Sequence, residues 1–133
     1  MNQRLFSTSL KVRDYECDMQ GIVNNAVYQH YLEHARHEFL HSCGLSFAEL
    51  TKRGIIIVVV RAELDYLAPL RSGDEFNVSV AVTRPSAVRI LFQQEVQSLS
   101  ASSPNLRASV FATAVNERGR PYFPADLKPL LQP

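Results

Sequence analysis

One segment of this chain has the length and periodicity of a full helix, and most of the residues after it have the pattern of strands. Between residues 26 and 43, apolar residues recur at spacings of three and four, which is typical of a helix with one buried face. They are Tyr28, Tyr31, Leu32, Ala35 and Phe39. Gly44 comes next and predicts the end of the helix, because glycine readily adopts the left-handed conformation found there. The fold must therefore cover a single long helix with sheet.

Strand patterns lie on both sides of this helix. A first strand is predicted over residues 5–12, and a short second helix is predicted between Ser46, its cap, and Gly54, its end. Turn-forming residues separate four later strands, predicted over 55–66, 76–82, 88–96 and 106–115. Pro121 and Pro124 predict an irregular tail.

These elements predict one α+β domain over residues 1–133, with a curved antiparallel sheet wrapped around the helix. The hydrophobic fraction of 46% is enough to fill its core. The strand over 55–66 is rich in β-branched residues and is predicted to be partly buried on both faces. Because an apolar edge strand tends to pair with another chain, residues 55–60 predict a homodimer or homotetramer.

Composition and charge exclude several function classes. The net charge is +1 without a basic block, which gives nucleic-acid binding no electrostatic support. No apolar run is long enough for a membrane span, and the first residues lack the apolar core of a signal peptide. Cys17 and Cys43 do not make a disulfide framework. We therefore expect a cytoplasmic protein, or a plastid one if a transit peptide is missing from this chain.

The segment before the long helix carries the chemistry. Asp18 lies three residues before Gly21, and Asn24 and Asn25 lie where the helix is expected to begin. A helix start offers unpaired N–H groups and a partial positive charge. A carboxylate beside such donors can attack a carbonyl, or activate water to attack it, while the N–H groups hold the oxyanion. Acyl transfer is therefore the first hypothesis.

The same residues have simpler interpretations. Asp18 is also a typical turn residue, and asparagine is a preferred helix cap, so Asn24 and Asn25 could serve only the helix start. Capping and oxyanion support are compatible, since both orient the same N–H groups. Cys17 is a poor candidate nucleophile, because the acids on either side of it should raise the pKa of its thiol.

Histidines follow the helix at helical spacing. They are His30, His34, His37 and His41. This stripe lies nearly opposite the apolar face, and we interpret it as a solvated or subunit-contact surface rather than a metal site. Glu33 is a reserve general base, or the partner of Arg36 in a helix-surface ion pair.

Arg84, Ser86 and Arg89 surround the break that Pro85 makes between two strands. They could form an ordinary charged turn. Alternatively, they could bind the phosphates of CoA or of a phosphopantetheine arm, since guanidinium groups match phosphate geometry.

The order of elements and the segment 14–36 resemble the hotdog-fold thioesterases of the 4-hydroxybenzoyl-CoA thioesterase superfamily. Residues 13–18, 21–28, 36–39 and 70–74 resemble the plant-type single-domain acyl-acyl-carrier-protein thioesterases, which include the methylketone-synthase type. The resemblance extends from residue 5 to about residue 124.

The resemblance implies roles for single residues. Asp18 falls on the family's catalytic carboxylate, as nucleophile or general base, and Asn25 falls on the helix turn whose N–H polarises the thioester carbonyl. Many CoA-type relatives carry Tyr-His where this chain has Asn24 and Asn25, and this departure favours a fatty acyl chain. Tyr28 and Val59 are further predicted substrate contacts. No metal or redox cofactor is required.

Together these observations predict an enzyme that hydrolyses acyl-CoA or acyl-carrier-protein thioesters. One alternative is a non-catalytic hotdog module that binds acyl groups or assembles other subunits. Another is dehydration of hydroxyacyl thioesters. Dehydratase relatives usually carry a catalytic histidine at or before the helix start, whereas the first histidine here is His30, beyond the first helical turn.

Overall fold

The computed structural model describes residues 5–131, and it confirms a single long helix held against an antiparallel sheet. The strands are β1 (Leu5–Lys11), β2 (Ile56–Tyr66), β3 (Glu75–Thr83), β4 (Arg89–Ser98), β5 (Leu106–Val115) and β6 (Pro121–Tyr122). The helices are α1 (Val27–Ser42) and α2 (Phe47–Lys52), with 3-10 turns at Asp14–Glu16 and Ala125–Leu131. No helix within residues 5–131 is long and apolar enough to cross a membrane.

The sheet order is β1-β3-β4-β5-β2, every neighbouring pair is antiparallel, and β6 adds to β5. The predicted alternation on β3 is confirmed, since every second side chain from Phe76 onward is buried. Helix α1 packs on this inner face. The ring of Phe39 lies 5.8 Å from that of Phe6 on β1, and the ring of Tyr31 lies 4.7 Å from that of Phe76. This is the α+β hotdog arrangement.

Two of the predicted helix boundaries, the end of α1 and the start of α2, are confirmed by local chemistry. Gly44 has φ +80°, and the N–H of Leu45 donates to the carbonyl of Leu40 at 2.9 Å, as in a Schellman end. The hydroxyl of Ser46 accepts the N–H of Glu49 at 3.0 Å and so caps α2. These contacts fix where α1 stops and where the chain turns back.

Two predictions about exposure and order were wrong. β2 is largely exposed along its length, whereas both of its faces were predicted to be partly buried. The reason is its position: it lies at the edge of the sheet, as the edge prediction required, and within residues 5–131 β5 is the only strand that pairs with it. The tail is more ordered than predicted, because the last 3-10 turn buries Leu127 and Leu130.

The strand pairings give the molecule two ends. Lys11 pairs with Glu75, and Tyr66 pairs with Leu106, so the loop after β1 and the end of β2 share one end of the sheet. We call it the Asp18 end. The turn after β3, the start of β2 and the turn after β5 share the opposite end, which we call the arginine end.

Candidate active site

The loop between β1 and α1 folds back on itself as a small hairpin. The N–H of Asp18 donates to the carbonyl of Ile22 at 2.9 Å, and that of Asn24 donates to the carbonyl of Glu16 at 3.0 Å. The N–H of Val23 also donates to the carbonyl of Leu70 at 2.9 Å, which joins this hairpin to the segment between β2 and β3. Backbone hydrogen bonds thus hold the loop in a defined position.

The carboxylate of Asp18 lies at the tip of this hairpin and is exposed. Its Oδ1 accepts the N–H of Gln20 at 2.8 Å and that of Ile22 at 3.4 Å. Gly21 completes the turn with φ +79°. This is the turn role that the sequence allowed for Asp18. Within residues 5–131 its Oδ2 accepts no hydrogen bond, so one carboxylate oxygen is available for chemistry. The catalytic role stays a prediction.

The asparagines do not cap α1, because its N-cap is Ala26 and no side chain caps it; Asn24 instead forms a turn just before the helix. The Oδ1 of Asn24 accepts the N–H of Ala26 at 2.9 Å, and its carbonyl accepts the N–H of Val27 at 2.9 Å. The N–H groups of Asn25 and Tyr28 meet no acceptor within the described residues. These open donors lie at the other end of the hairpin from Asp18. Two strand residues, or about 7 Å, separate these donors from the position of Asp18 along the hairpin.

Three hydrogen bonds that sequence reasoning missed stabilise this region. The hydroxyl of Tyr31 donates to Oε1 of Glu16 at 2.8 Å, and the N–H of Arg13 donates to the same oxygen at 2.9 Å. Burial, followed by the carboxylate of Glu16, strongly raises the pKa of Tyr31. The hydroxyl of Tyr66 on β2 donates to the carbonyl of Asn25 at 3.1 Å. The Arg13–Glu16 spacing was a readable signal, whereas the long-range tyrosine contacts were not.

Tyr28, predicted to contact substrate, lies in the core. It is 4% exposed, and its hydroxyl accepts the N–H of Leu70 at 3.1 Å. Burial raises the pKa of this phenol. Tyr28 therefore holds the 67–74 segment against α1, and its contact with substrate stays a prediction.

The remaining predicted substrate contacts lie at the arginine end. Arg84 donates to the carbonyl of Ala87 at 2.8 Å, and the hydroxyl of Ser86 accepts the N–H of Arg89 at 3.1 Å. Val59 on β2 pairs with the same part of β5. Strand β3 has nine residues, so about 30 Å separates this turn from the Asp18 end. One protomer therefore does not bring these residues to Asp18.

The helix surface contains one wrong prediction. Arg36 was interpreted as a possible surface partner of Glu33, but it is 8% exposed and donates to Oε1 of Gln94 at 3.0 Å. Gln94 in turn donates to the carbonyl of Leu32 at 3.1 Å. The guanidinium of Arg36 also lies 5.8 Å from the ring centre of Phe92. Burial lowers the pKa of Arg36.

The histidine stripe is mostly exposed, and within residues 5–131 no three metal-ligating side chains come together. His37 is the exception to the exposure, because its ring packs on Phe47 at 4.4 Å between ring centres. Burial lowers its pKa. At Cys17, burial and then the carboxylates of Asp14 and Asp18 raise the pKa of the thiol, as the sequence predicted.

Comparisons with known proteins agree with this fold. The chain is 42% identical over 112 residues to the chloroplastic acyl-acyl carrier protein thioesterase ATL3 of Arabidopsis thaliana. That match covers 84% of this chain and 59% of the relative, so the chain spans about three-fifths of the length of that protein. The hypothetical protein TT1821 of Thermus thermophilus is 30% identical, with a TM-score of 0.87 and coverage of 96% and 95%.

A 4-hydroxybenzoyl-CoA thioesterase bound to its substrate superposes with a TM-score of 0.86 over 97% of this chain and 99% of its own. At 19% identity this likeness shows the shared fold alone. The model of the thioesterase-like superfamily matches residues 12–130, which include the whole of the Asp18 loop and most of the sheet. This chain therefore belongs to the thioesterase-like superfamily.

Proposed function

We propose that this protein is a thioesterase that hydrolyses fatty acyl thioesters of CoA or of a carrier protein. The observation that carries the proposal is an exposed Asp18 carboxylate, with one oxygen unbonded in the described residues, on the same hairpin as an α1 start with open N–H donors. The names of relatives support the reaction class, since they are acyl-carrier-protein thioesterases and acyl-CoA hydrolases.

The reaction follows from these groups. Asp18 attacks the thioester carbonyl, or removes a proton from the water that attacks it. The N–H groups near Asn25 stabilise the oxyanion that forms on the carbonyl oxygen. When water attacks, the carbon–sulfur bond breaks to give the carboxylic acid, and the leaving thiolate takes up the proton that Asp18 removed. When Asp18 attacks, the same cleavage releases the thiol and leaves a mixed anhydride on Asp18, which water then hydrolyses to the carboxylic acid and free Asp18. No step in this sequence calls on a cofactor.

A second protomer is part of the proposal. The edge strand β2 exposes Ile56, Val58, Val59 and Val60 by 37% to 50%, which is a surface suited to pairing. When two β2 strands pair antiparallel along their full length, with the two-fold axis at Arg61, the Ile56 end of one lies beside the Tyr66 end of the other. Such a dimer places Val59 of one protomer nearer the Asp18 loop of its partner. A homotetramer is two such dimers.

The acyl chain is expected to be aliphatic. On the side of the sheet that carries the buried residues of β5, β2 and β5 present small and apolar side chains, among them Ala62, Leu64 and Ala112, without a charged group to recognise a substituted ring. Each buried methylene contributes about 0.8 kcal/mol. The cytoplasm is the expected compartment, and the chloroplastic relatives make the plastid the alternative.

Steady-state kinetics on even-numbered acyl-CoA and acyl-carrier-protein thioesters, with benzoyl-CoA as the aryl reference, test this function. We expect kcat/KM to rise up to about fourfold per methylene until the apolar surface of β2 and β5 is covered, and to exceed the aryl value. A preference for the aryl thioester would contradict the aliphatic assignment. Stable binding without turnover of any thioester would instead identify a non-catalytic acyl-binding module.

A further inference from the structure

Arginines without a carboxylate partner are concentrated at the arginine end. Among the described residues, Arg13, Arg53, Arg61 and Arg107 each have an acidic side chain within 4.0 Å. Four exposed arginines of the arginine end have none. These residues, which we call the arginine patch, are Arg84, Arg89, Arg118 and Arg120. Their charge is therefore available to an anionic partner.

The turn that carries Arg118 and Arg120 is held by hydrogen bonds between its own residues. The Oδ1 of Asn116 accepts the N–H of Arg118 at 2.9 Å and that of Arg120 at 3.1 Å. The N–H of Asn116 also donates to the carbonyl of Arg120, and Gly119 has φ +74°. The backbone under both arginines is thus fixed before any partner binds, which lowers the entropy cost of binding.

The patch is broad and open. Arg118 and Arg120 line a shallow depression of about 510 Å³ together with Arg53, Glu117 and Tyr122, so three guanidinium groups face one carboxylate there. Directly after Tyr122, the ring of Phe123 lies 3.9 Å below the guanidinium of Arg84. The arginines therefore come from two separate turns around one surface. This shape fits an extended acidic protein surface better than a single compact diphosphate, which needs an enclosed cluster of donors.

We propose that the arginine patch docks an acidic carrier protein, which then delivers its acyl thioester to Asp18 of the partner protomer. This inference rests on the proposed function and on pairing through β2. Within one protomer the patch lies about 30 Å from the Asp18 end. A phosphopantetheine arm has about the length of five extended residues, or ~17 Å, and cannot span that distance.

Antiparallel pairing removes this difficulty. Gly54 lines the same depression as Arg118, and it lies just before β2 begins at Ile56. When two β2 strands pair about a two-fold axis, this beginning lies beside the partner's Tyr66, whose hydroxyl contacts the helix start at Asn25. The arm of a carrier bound at the patch then enters the partner's site.

The docking claim is tested with Arg120→Gln, with the double variant Arg118→Gln and Arg120→Gln, and with Arg107→Gln as the matched control on the sheet. For a fatty acyl carrier protein we expect KM to rise about threefold and about tenfold in the first two, with kcat unchanged. The control should behave as wild type. KM for acyl-CoA and for the matching acyl-pantetheine should not change in any variant.

Two results would overturn the docking claim. An equal rise in KM for acyl-CoA would mean that the patch binds nucleotide phosphates, and an unchanged KM for the carrier protein would mean that it binds neither. Acyl-pantetheine separates this claim from the proposed function. If the wild-type protein does not hydrolyse acyl-pantetheine, the proposed thioesterase function is contradicted. In that case titration of labelled carrier protein by fluorescence anisotropy still tests docking: weaker binding to the double variant supports it, and unchanged binding overturns it.

Delivery to the partner is tested with mixed dimers. In one mixture, an Asp18→Asn protomer with intact arginines is paired with an Arg118→Gln, Arg120→Gln protomer that keeps Asp18. In the other, all three substitutions are on one protomer and its partner is wild type. Delivery between protomers predicts the wild-type KM for carrier protein only in the first mixture. A wild-type KM only in the second would overturn it.

Discussion

Strands β2 and β3 are both rich in β-branched residues, yet they lie in opposite environments. On β3, every second side chain from Phe76 is buried against α1, while the others face outward. On β2, Val58, Val59 and Val60 are all substantially exposed, because β5 is the only strand beside it. This difference indicates that the apolar side chains of β3 are buried within the protomer, whereas β2 has the composition of an edge strand that pairs with a second chain.

The contribution of the buried strand β3 to stability is tested at Phe76, which is fully buried and packs on Tyr31. We expect Phe76→Ala to lower the free energy of unfolding by about 3–5 kcal/mol, through lost transfer energy and a residual cavity. Urea denaturation followed by circular dichroism measures this. A loss below about 1 kcal/mol would mean that β3 does not carry the core.

The edge side of the comparison is tested by Val58→Lys. A charge there should raise the dimer dissociation constant by about 100-fold, because an unpaired ammonium would be buried in the interface. Sedimentation velocity measures the association state, and circular dichroism checks that the protomer still folds. The control is Gln93→Lys, an exposed position on the central strand β4. A wild-type protein that is monomeric at micromolar concentration would contradict the pairing.

The smallest effect concerns a residue between the buried and exposed regions, His37, which packs on Phe47. Its pKa is lowered by burial, with further lowering from Arg36, His34 and His41 and an opposing effect of Glu33. The folded protein therefore favours the neutral imidazole.

Because the pKa of His37 is lower in the folded protein than in the unfolded chain, this histidine makes the protein less stable as the pH falls. The stability it contributes is complete above the unfolded value of 6.5, and it is lost as the pH falls through the lower folded value. His37→Gln should flatten this part of the stability profile, and His41→Gln should not. Thermal melts between pH 7.5 and pH 5 measure it. An unchanged slope in His37→Gln would contradict the role of burial at this histidine.

Local patterns explain what the sequence could predict. The buried face of α1, the alternation on β3 and the caps at Gly44 and Ser46 all follow from neighbours within a few residues, so periodicity and turn chemistry predict them. The loop carrying Asp18 was located for the same reason, because its glycine turn and the turn that Asn24 makes with Ala26 are local features.

Contacts between distant residues explain what could not be predicted. The burial of Arg36 depends on Gln94, which lies 58 positions away, and charged residues are usually assigned to the surface. Position 36 does follow Leu32 by four residues, which is the spacing of the buried face, but the sequence prediction left Arg36 at the surface. Likewise, the separation of Arg84 from Asp18 depends on strand order, which the sequence pattern does not specify.

The most direct test of the proposed mechanism is the turnover of Asp18→Asn on a fatty acyl thioester. Asp14→Asn is the matched control, because Asp14 is an exposed acid of the same loop that accepts a hydrogen bond from Ser72. We predict that kcat falls at least ~100-fold in Asp18→Asn and stays near wild type in Asp14→Asn, with both variants folded. An Asp18→Asn protein that keeps most of its thioester hydrolysis would contradict the assignment and make Glu33 the next candidate.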